Sequence, residues 1–232
     1  MRSARRLLLV AASGLALSAG LVSIANAQSQ AAPVAASTAQ VAPSNPWAQA
    51  TSDIPADPAV RYGLLPNGMR YALLHNATPP GQASFRLRID AGSLMERDDQ
   101  KGLAHFMEHM AFNGTKDVPE NEMMRILERL GLAFGADTNA FTSFDQTAYM
   151  LELPNTRDET VDPSLHILRE MMSAALMAPD AIDSERGVIV GEERTRDTQQ
   201  FRVLKTQLGL LAPGQRLSQR LPIGDLDIIR TA

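Results

Sequence analysis

Three residues within one short segment, His105-Phe106-Met107-Glu108-His109, have the types and spacing of a metal-dependent hydrolytic site. Residues four positions apart project from the same face of a helix, so the imidazoles of His105 and His109 can bind one ion. Glu108 lies on the same side, where a carboxylate can act on a water molecule without taking the place of a ligand. The pattern predicts a helix that carries two metal ligands and one general base.

This arrangement suits the hydrolysis of peptide bonds. Two neutral imidazoles bind Zn²⁺ and leave net positive charge, which lowers the pKa of bound water toward about 7. Glu108 would accept the proton of that water and pass it to the departing amine. The alternative is an amphipathic helix whose histidines only pack or face solvent, but chance spacing is rare in a chain with 4 histidines among 232 residues.

A catalytic zinc site also takes a third protein ligand. The chain has no cysteine, so we expect a carboxylate from another element. The helix predicted after Pro179 offers four acids, and spacing on one sequence does not choose among them: Asp183, Glu185, Glu192 and Glu193.

The elements that position these residues begin with strands near Val60. Residues 61–65 and 69–75 flank the turn sequence Pro66-Asn67-Gly68, which predicts a β-hairpin. Residues 85–89 alternate between apolar and polar side chains and predict a half-buried strand. Two further strands are predicted between residues 132 and 153, and the clearer is Thr147–Leu153.

Helical patterns follow these strands. We predict helices over residues 102–112, 119–131 and 158–177, and a fourth from residue 179 to beyond 193. Strands followed by helices, without a regular βαβ alternation, indicate an α+β domain with an antiparallel sheet. On the third helix we expect an inward apolar stripe formed by Leu165, Leu168, Met172 and Leu176.

The amino terminus has the pattern of an export signal. Three arginines precede an apolar run from residue 7 to 24, which ends in Ala25-Asn26-Ala27. We expect cleavage after Ala27, rather than retention as a membrane anchor, and a periplasmic or secreted protein with no stable membrane span. Residues 28–57 are rich in Ala, Gln, Ser and Pro and predict a disordered linker.

Charge and composition exclude some partners. Removal of residues 1–27 takes three of the 22 basic residues and none of the 26 acidic residues, which changes the net charge from −4 to −7. An acidic protein without a basic stripe is not expected to bind nucleic acid. Metal storage is also disfavoured, because it would use tracts of His or Cys.

The segment from His105 to Thr115, HFMEHMAFNGT, is very similar to the zinc helix of the M16 family, which includes pitrilysin, insulin-degrading enzyme and the mitochondrial processing peptidase. The resemblance implies a zinc peptidase with an α+β fold, in which helices pack on one face of an antiparallel sheet. In that family a Glu downstream of the second histidine is the third ligand. Glu185, in the segment ERGVIV, lies at about the same distance in sequence from His109 as that Glu lies from the second histidine in the family. The resemblance therefore implies Glu185 as the ligand.

A second segment, residues 135–149, resembles the strand pair beside the zinc in the same family. There an extended peptide adds to an exposed strand edge. By position, the resemblance implies that Asn139 and Thr142 contact the substrate, although both could serve only local hydrogen bonding. With the segment RLPIG at residues 220–224, the resemblance covers residues 58–232.

The resemblance also implies partners. Family enzymes close a second, related half over the zinc half, so we expect such a half, in the same longer chain or in another subunit, and peptides or unfolded polypeptides as substrates. The last part of the domain is expected to lie beyond Ala232. Ala178 stands where some relatives carry an additional acid. The alternative function is a non-catalytic peptide-binding subunit, or an inactive fragment, of the same fold.

Overall fold

The computed structural model describes residues 47–120 and 122–231. The predicted signal peptide, residues 1–27, and most of the predicted linker lie outside the described residues.

The chain divides into two units, one containing residues 47–56 and 64–70 and the other residues 57–63 and 71–231. In the first unit, Ala48–Ala50 form one turn of 3₁₀ helix, and Gly68, with φ of 87°, closes the predicted turn through a hydrogen bond from its N–H to Leu65 O, 2.9 Å.

Two small sheets contain the strands of the described chain. β1 (Val60–Leu64) pairs with β2 (Arg70–Leu74), as the hairpin signal predicts. The other sheet contains β3 (Ala83–Ile89), β4 (Thr138–Thr142) and β5 (Thr147–Leu153), in the order β3-β5-β4, with antiparallel neighbours. β5 is therefore central: one face, with Thr147, Tyr149, Leu151 and Leu153, is fully buried, and the other is buried at Ala148 and half-buried beyond it.

Six α-helices occur in residues 47–231. The four predicted helices are α1 (Leu103–Met110), α2 (Glu122–Arg129), α3 (Asp158–Ser173) and α4 (Pro179–Arg196). α5 (Gln199–Leu211) and α6 (Leu226–Thr231) were not predicted. The α+β class with an antiparallel sheet is confirmed. Within the described range, no helix is both long enough and apolar enough to cross a bilayer.

Two apolar clusters hold these elements together. The larger one joins the sheet to α2 and α3, and includes Leu127, Leu151 and Ile167. The smaller one lies where α1, α4 and α6 meet, and consists of buried Phe106, Met110, Ala181, Ile189 and Ile229. The smaller cluster fixes α1 against α4, so it determines which side chains of the two helices face each other.

The inward face of α3 differs from the prediction. Leu165 and Met172 are 50% and 40% exposed, and Leu176 lies beyond the end of the helix. The buried face carries Thr160, Ser164, Ile167, Leu168, Glu170 and Met171. The prediction is therefore confirmed for Leu168 and wrong for the other three members of the stripe. Apolar residues occupy two adjacent sides of α3, and the stripe was drawn along the more exposed one; the buried side also includes Ser164, whose hydroxyl donates to Thr160 O, 2.7 Å.

Gly102 allows the close approach that starts α1. Its φ is 98°, and a Cβ placed there would lie 2.9 Å from Ile229 Cδ1 and 3.0 Å from Gly224 Cα. An L side chain at this position would have to adopt a disfavoured positive φ, and its Cβ would lie too close to these atoms.

We predict that Gly102→Ala lowers the free energy of unfolding by more than about 1 kcal/mol, because alanine resists a positive φ. Gly209→Ala in α5 is the control: a Cβ there meets no atom within 4 Å, and alanine should stabilise the helix by about 0.4–1 kcal/mol. Chemical denaturation of both variants measures the difference. Equal stability of the two variants would contradict the close approach at Gly102.

Candidate metal centre

The start of α1 is held by a buried acid, Glu96, that the sequence analysis did not single out. The Glu96 carboxylate accepts hydrogen bonds from the N–H groups of Gly102, 3.0 Å, and Ala104, 2.8 Å, and so satisfies two donors at the start of the helix. Burial raises the pKa of Glu96, although these hydrogen bonds and the charge of Arg220 oppose that effect. The buried Arg220 side chain also donates to Glu96 O, 3.3 Å, and pairs with Asp98. A carboxylate several residues before a helix is an uninformative sequence signal, which is why its role was missed.

The imidazoles of His105 and His109 meet edge to face on one side of α1. Their Nε2 atoms are 3.1 Å apart, and their planes are inclined by 83°. His105 is buried, and the His109 side chain is 21% exposed. The structure therefore brings together the two histidines that the spacing pairs.

A carboxylate from α4 completes a compact group with the two histidines. Glu192 Oε2 lies 3.4 Å from His105 Nε2 and 3.5 Å from His109 Nε2. His105, His109 and Glu192 thus form a candidate metal-binding set in the described part of the chain, with one ligand atom from each within 4.8 Å of the others. The remaining Glu192 oxygen, Oε1, pairs with Arg196.

Glu185, the ligand that the family resemblance implies, lies against the other ring nitrogen of His109. Its Oε1 lies 2.7 Å from Nδ1 of His109, on the side of the ring away from Nε2, and its Oε2 accepts a hydrogen bond from Asn113 Nδ2, 3.0 Å. Asn113 also donates to His109 O, 3.1 Å. The geometry therefore groups Glu192, rather than Glu185, with the two facing Nε2 atoms, and it places Glu185 where it can orient His109.

The electrostatics of this group favour a bound cation. Burial, followed by the neighbouring His109, lowers the pKa of His105 to about 4, so His105 is neutral at neutral pH and can offer a lone pair. Burial also opposes the charged form of His109, but its hydrogen bond to Glu185 and the charges of Glu185, Glu192 and Glu108 raise its pKa. The site thus attracts positive charge, and its two nitrogen donors and one carboxylate suit zinc.

Glu108 faces the same space from α1 and is held by a strand. Thr142, at the end of β4, donates its hydroxyl to Glu108 Oε2, 2.5 Å. Burial raises the pKa of Glu108, and the hydrogen bond from Thr142 opposes that rise because it stabilises the carboxylate. The family resemblance implies that Thr142 contacts substrate; in the structure its hydroxyl donates a hydrogen bond to Glu108, the predicted general base.

Asn139, the other predicted substrate residue, makes local hydrogen bonds. Its Oδ1 accepts from the Ala140 N–H, 2.9 Å, and its Nδ2 lies 3.5 Å from Gly135 O. The residue is exposed on β4. β4 pairs with β5 along one edge, and at the other edge Thr138 donates its N–H to Ala133 O, 3.0 Å, and accepts from the Gly135 N–H, 2.8 Å. Within the described residues, no strand pairs with the rest of that edge, on which a further strand could add.

A mainly apolar cavity of about 300 Å³ opens beside Glu108. Its walls come from β3, α1, β5 and the end of α3, and include Ile89, Met107, Tyr149 and Met171. Burial, together with the charge of Glu108, raises the pKa of Tyr149, so its hydroxyl stays protonated at neutral pH. The cavity can hold an apolar group within reach of the Glu108 carboxylate.

Comparisons with known proteins agree with this architecture. The family model described as Insulinase (Peptidase family M16) matches residues 71–212. The chain is 41% identical over 180 residues to the probable zinc protease PqqL of Haemophilus influenzae, and 39% identical over 178 residues to the protein of the same name in Escherichia coli. These alignments cover 78% and 77% of the chain but 19% of each relative, so the chain spans about a fifth of their length.

Solved structures show the same similarity. The crystal structure of the periplasmic protease PqqL from Escherichia coli superposes with a TM-score of 0.75 at 38% identity, over 77% of this chain and 20% of that chain. The structure of the first half of that protease has the same TM-score and identity, and 38% of it is covered.

We predict that Thr142→Val raises the pKa of Glu108 further, because the hydrogen bond to the ionised form is lost while burial remains. Thr138→Val is the control: Thr138 is buried on the same strand, and its hydroxyl has no hydrogen-bond partner in the described structure. The titration of Glu108, followed by carboxyl ¹³C NMR, checks the shift. An unchanged titration in Thr142→Val would show that the hydroxyl does not stabilise the carboxylate.

Proposed function

Because the chain belongs to the insulinase family, peptidase family M16, we propose that it forms the zinc-binding part of a peptidase that hydrolyses peptide bonds in peptides or unfolded polypeptides. One observation carries the proposal. A buried carboxylate, Glu108, lies beside a group of two imidazoles and a second carboxylate, which is the combination of a metal site and a general base that this reaction needs.

We assign three residues to the metal: His105 and His109 through Nε2, and Glu192 through Oε2. This assignment replaces Glu185, which the family resemblance implied, because Glu192 Oε2 lies within 3.5 Å of both nitrogens. When bound there, Zn²⁺ would polarise the scissile carbonyl and acidify a water molecule. Glu185 would act on His109: by accepting a hydrogen bond from Nδ1–H, it keeps the lone pair of Nε2 free for the metal and fixes the plane of the ring.

Glu108 would serve as the general base. Its raised pKa brings the carboxyl closer to neutral pH, where a group can both accept a proton from water and return it to the departing amine. Thr142 would hold the carboxylate by its hydrogen bond, which limits the rotamers of Glu108 and keeps one oxygen directed toward β4. The other oxygen, Oε1, would remain for the water.

The substrate would bind as an extended strand. β4 offers an edge for backbone pairing, and the cavity beside Glu108 would take an apolar side chain next to the scissile bond. A second, related half is expected to complete the site, since one of the similar structures is the first half of a longer protease. The export signal predicted in residues 1–27 and the similarity to a periplasmic protease of Escherichia coli favour a periplasmic or secreted site of action.

The alternative, a peptide-binding subunit without catalysis, would use the same strand edge. Nothing in peptide binding requires a buried carboxylate beside a metal group, and burial of an unneeded charge is costly. The presence of Glu108 in that position favours the enzyme.

We predict that Glu108→Gln retains bound zinc and loses nearly all turnover, because the ligands remain while the proton acceptor is gone. Zinc content by atomic emission and cleavage of a mixed peptide library, both on the intact protein, measure the two effects. Glu159→Gln, an exposed acid of α3, is the control and should leave both unchanged. Full turnover by Glu108→Gln would remove Glu108 from the mechanism.

We predict that Glu192→Gln loses more zinc affinity than Glu185→Gln, since the first change removes a ligand and the second removes a group that orients one. The loss in Glu185→Gln should be about 10–100-fold. Competition with a zinc chelator measures both, and Glu193→Gln, the neighbouring acid, should bind as the unaltered protein does. A larger loss in Glu185→Gln than in Glu192→Gln would return the third ligand to Glu185.

A further inference from the structure

A second group of metal-ligand side chains lies on α3, away from the centre formed by α1 and α4. Asp117, His166 and Glu170 each contribute one ligand-type atom, and these atoms lie within 4.8 Å of one another. His166 and Glu170 are four residues apart on the helix and share a face, while Asp117 comes from the segment between α1 and α2. Two elements distant in sequence thus converge on one point.

The burial of Glu170 makes this group unusual. Glu170 is 2% exposed, and among the described residues its Oε2 accepts one long hydrogen bond, 3.3 Å, from the Asp117 N–H. Its ion pair in the described structure is with Arg169, at 3.8 Å, and the Arg169 side chain is 71% exposed and free to turn into solvent. A buried carboxylate with such weak compensation is costly unless a closer positive charge is present.

We propose that Asp117, His166 and Glu170 form a second divalent-cation site, which binds a transition metal such as Zn²⁺ or Mn²⁺. The imidazole favours transition metals over Ca²⁺ and Mg²⁺, and the two carboxylates neutralise the charge of the ion. Ligand bonds of about 2.0–2.2 Å draw the three atoms somewhat closer together than they lie here. Asp117 and His166 are exposed, so the ion can enter from solvent and water can complete its coordination.

The site has a structural role because of what it joins. The segment that carries Asp117 already meets the end of α3 through backbone hydrogen bonds, from Lys116 N–H to Ala174 O, 2.9 Å, and from Leu176 N–H to Gly114 O, 3.1 Å. The same segment starts next to Asn113, which binds Glu185 and the carbonyl of His109. An ion at this point would fasten the segment after α1 to α3, and so restrain the chain that leaves the catalytic helix.

Metal titration of the metal-stripped protein tests the proposal. Zn²⁺ is measured by equilibrium dialysis, and Co²⁺ by its visible absorption, for the unaltered protein and for His166→Ala. His166 is exposed, so its removal should not impair folding. We expect His166→Ala to bind one equivalent less of each ion, and to lose part of the rise in melting temperature that Zn²⁺ gives the unaltered protein.

Two controls separate this site from the catalytic one. His75→Ala, an exposed histidine outside both groups, should bind as much metal as the unaltered protein. Glu192→Gln should bind metal more weakly at the catalytic site and should still bind the one equivalent of metal that is lost in His166→Ala. Equal metal binding by His166→Ala and the unaltered protein would overturn the proposal, and Glu170 would then serve only to hold the Asp117 N–H.

Discussion

The packing of α1 against α4 is the contact on which the candidate site depends. Phe106, Met110 and Ile189 are buried between these helices, and this apolar contact sets their register. With that register, the Nε2 atoms of His105 and His109 face Glu192, and Nδ1 of His109 faces Glu185. A shift of one residue in either helix would separate the imidazoles from both carboxylates.

Glu108, the proposed general base, depends on a second element, the sheet. Glu108 lies on α1, but the hydrogen bond that stabilises its charge comes from Thr142 on β4. Burial and this hydrogen bond act in opposite directions on the pKa of Glu108. The strand on which we propose that a peptide binds therefore also influences the acid proposed to act on that peptide, so displacement of β4 would alter the proposed binding and proton transfer together.

The features that depend only on residues close together in sequence were predicted from the sequence. The spacing of His105, Glu108 and His109 places them on one helix face, and the alternation in residues 85–89 and the composition of β5 identify two strands. The choice between Glu185 and Glu192 could not be made in this way, because residues seven apart lie on the same face of α4 and only the position of α1 distinguishes them. The role of Glu96 and most of the buried face of α3 were missed for a related reason: both depend on which residues of other elements lie against them.

The start of α1 is enclosed by residues that lie more than a hundred positions later in the sequence. Arg220 contacts Glu96 across 124 positions of sequence, and Gly224 lies against the backbone of Gly102. The helix that carries both histidines is therefore fixed at its first turn by a segment synthesised long after it. The residues that hold this helix in place come long after the histidines in the sequence, so the candidate metal centre can become rigid only when both parts of the chain are present and packed together.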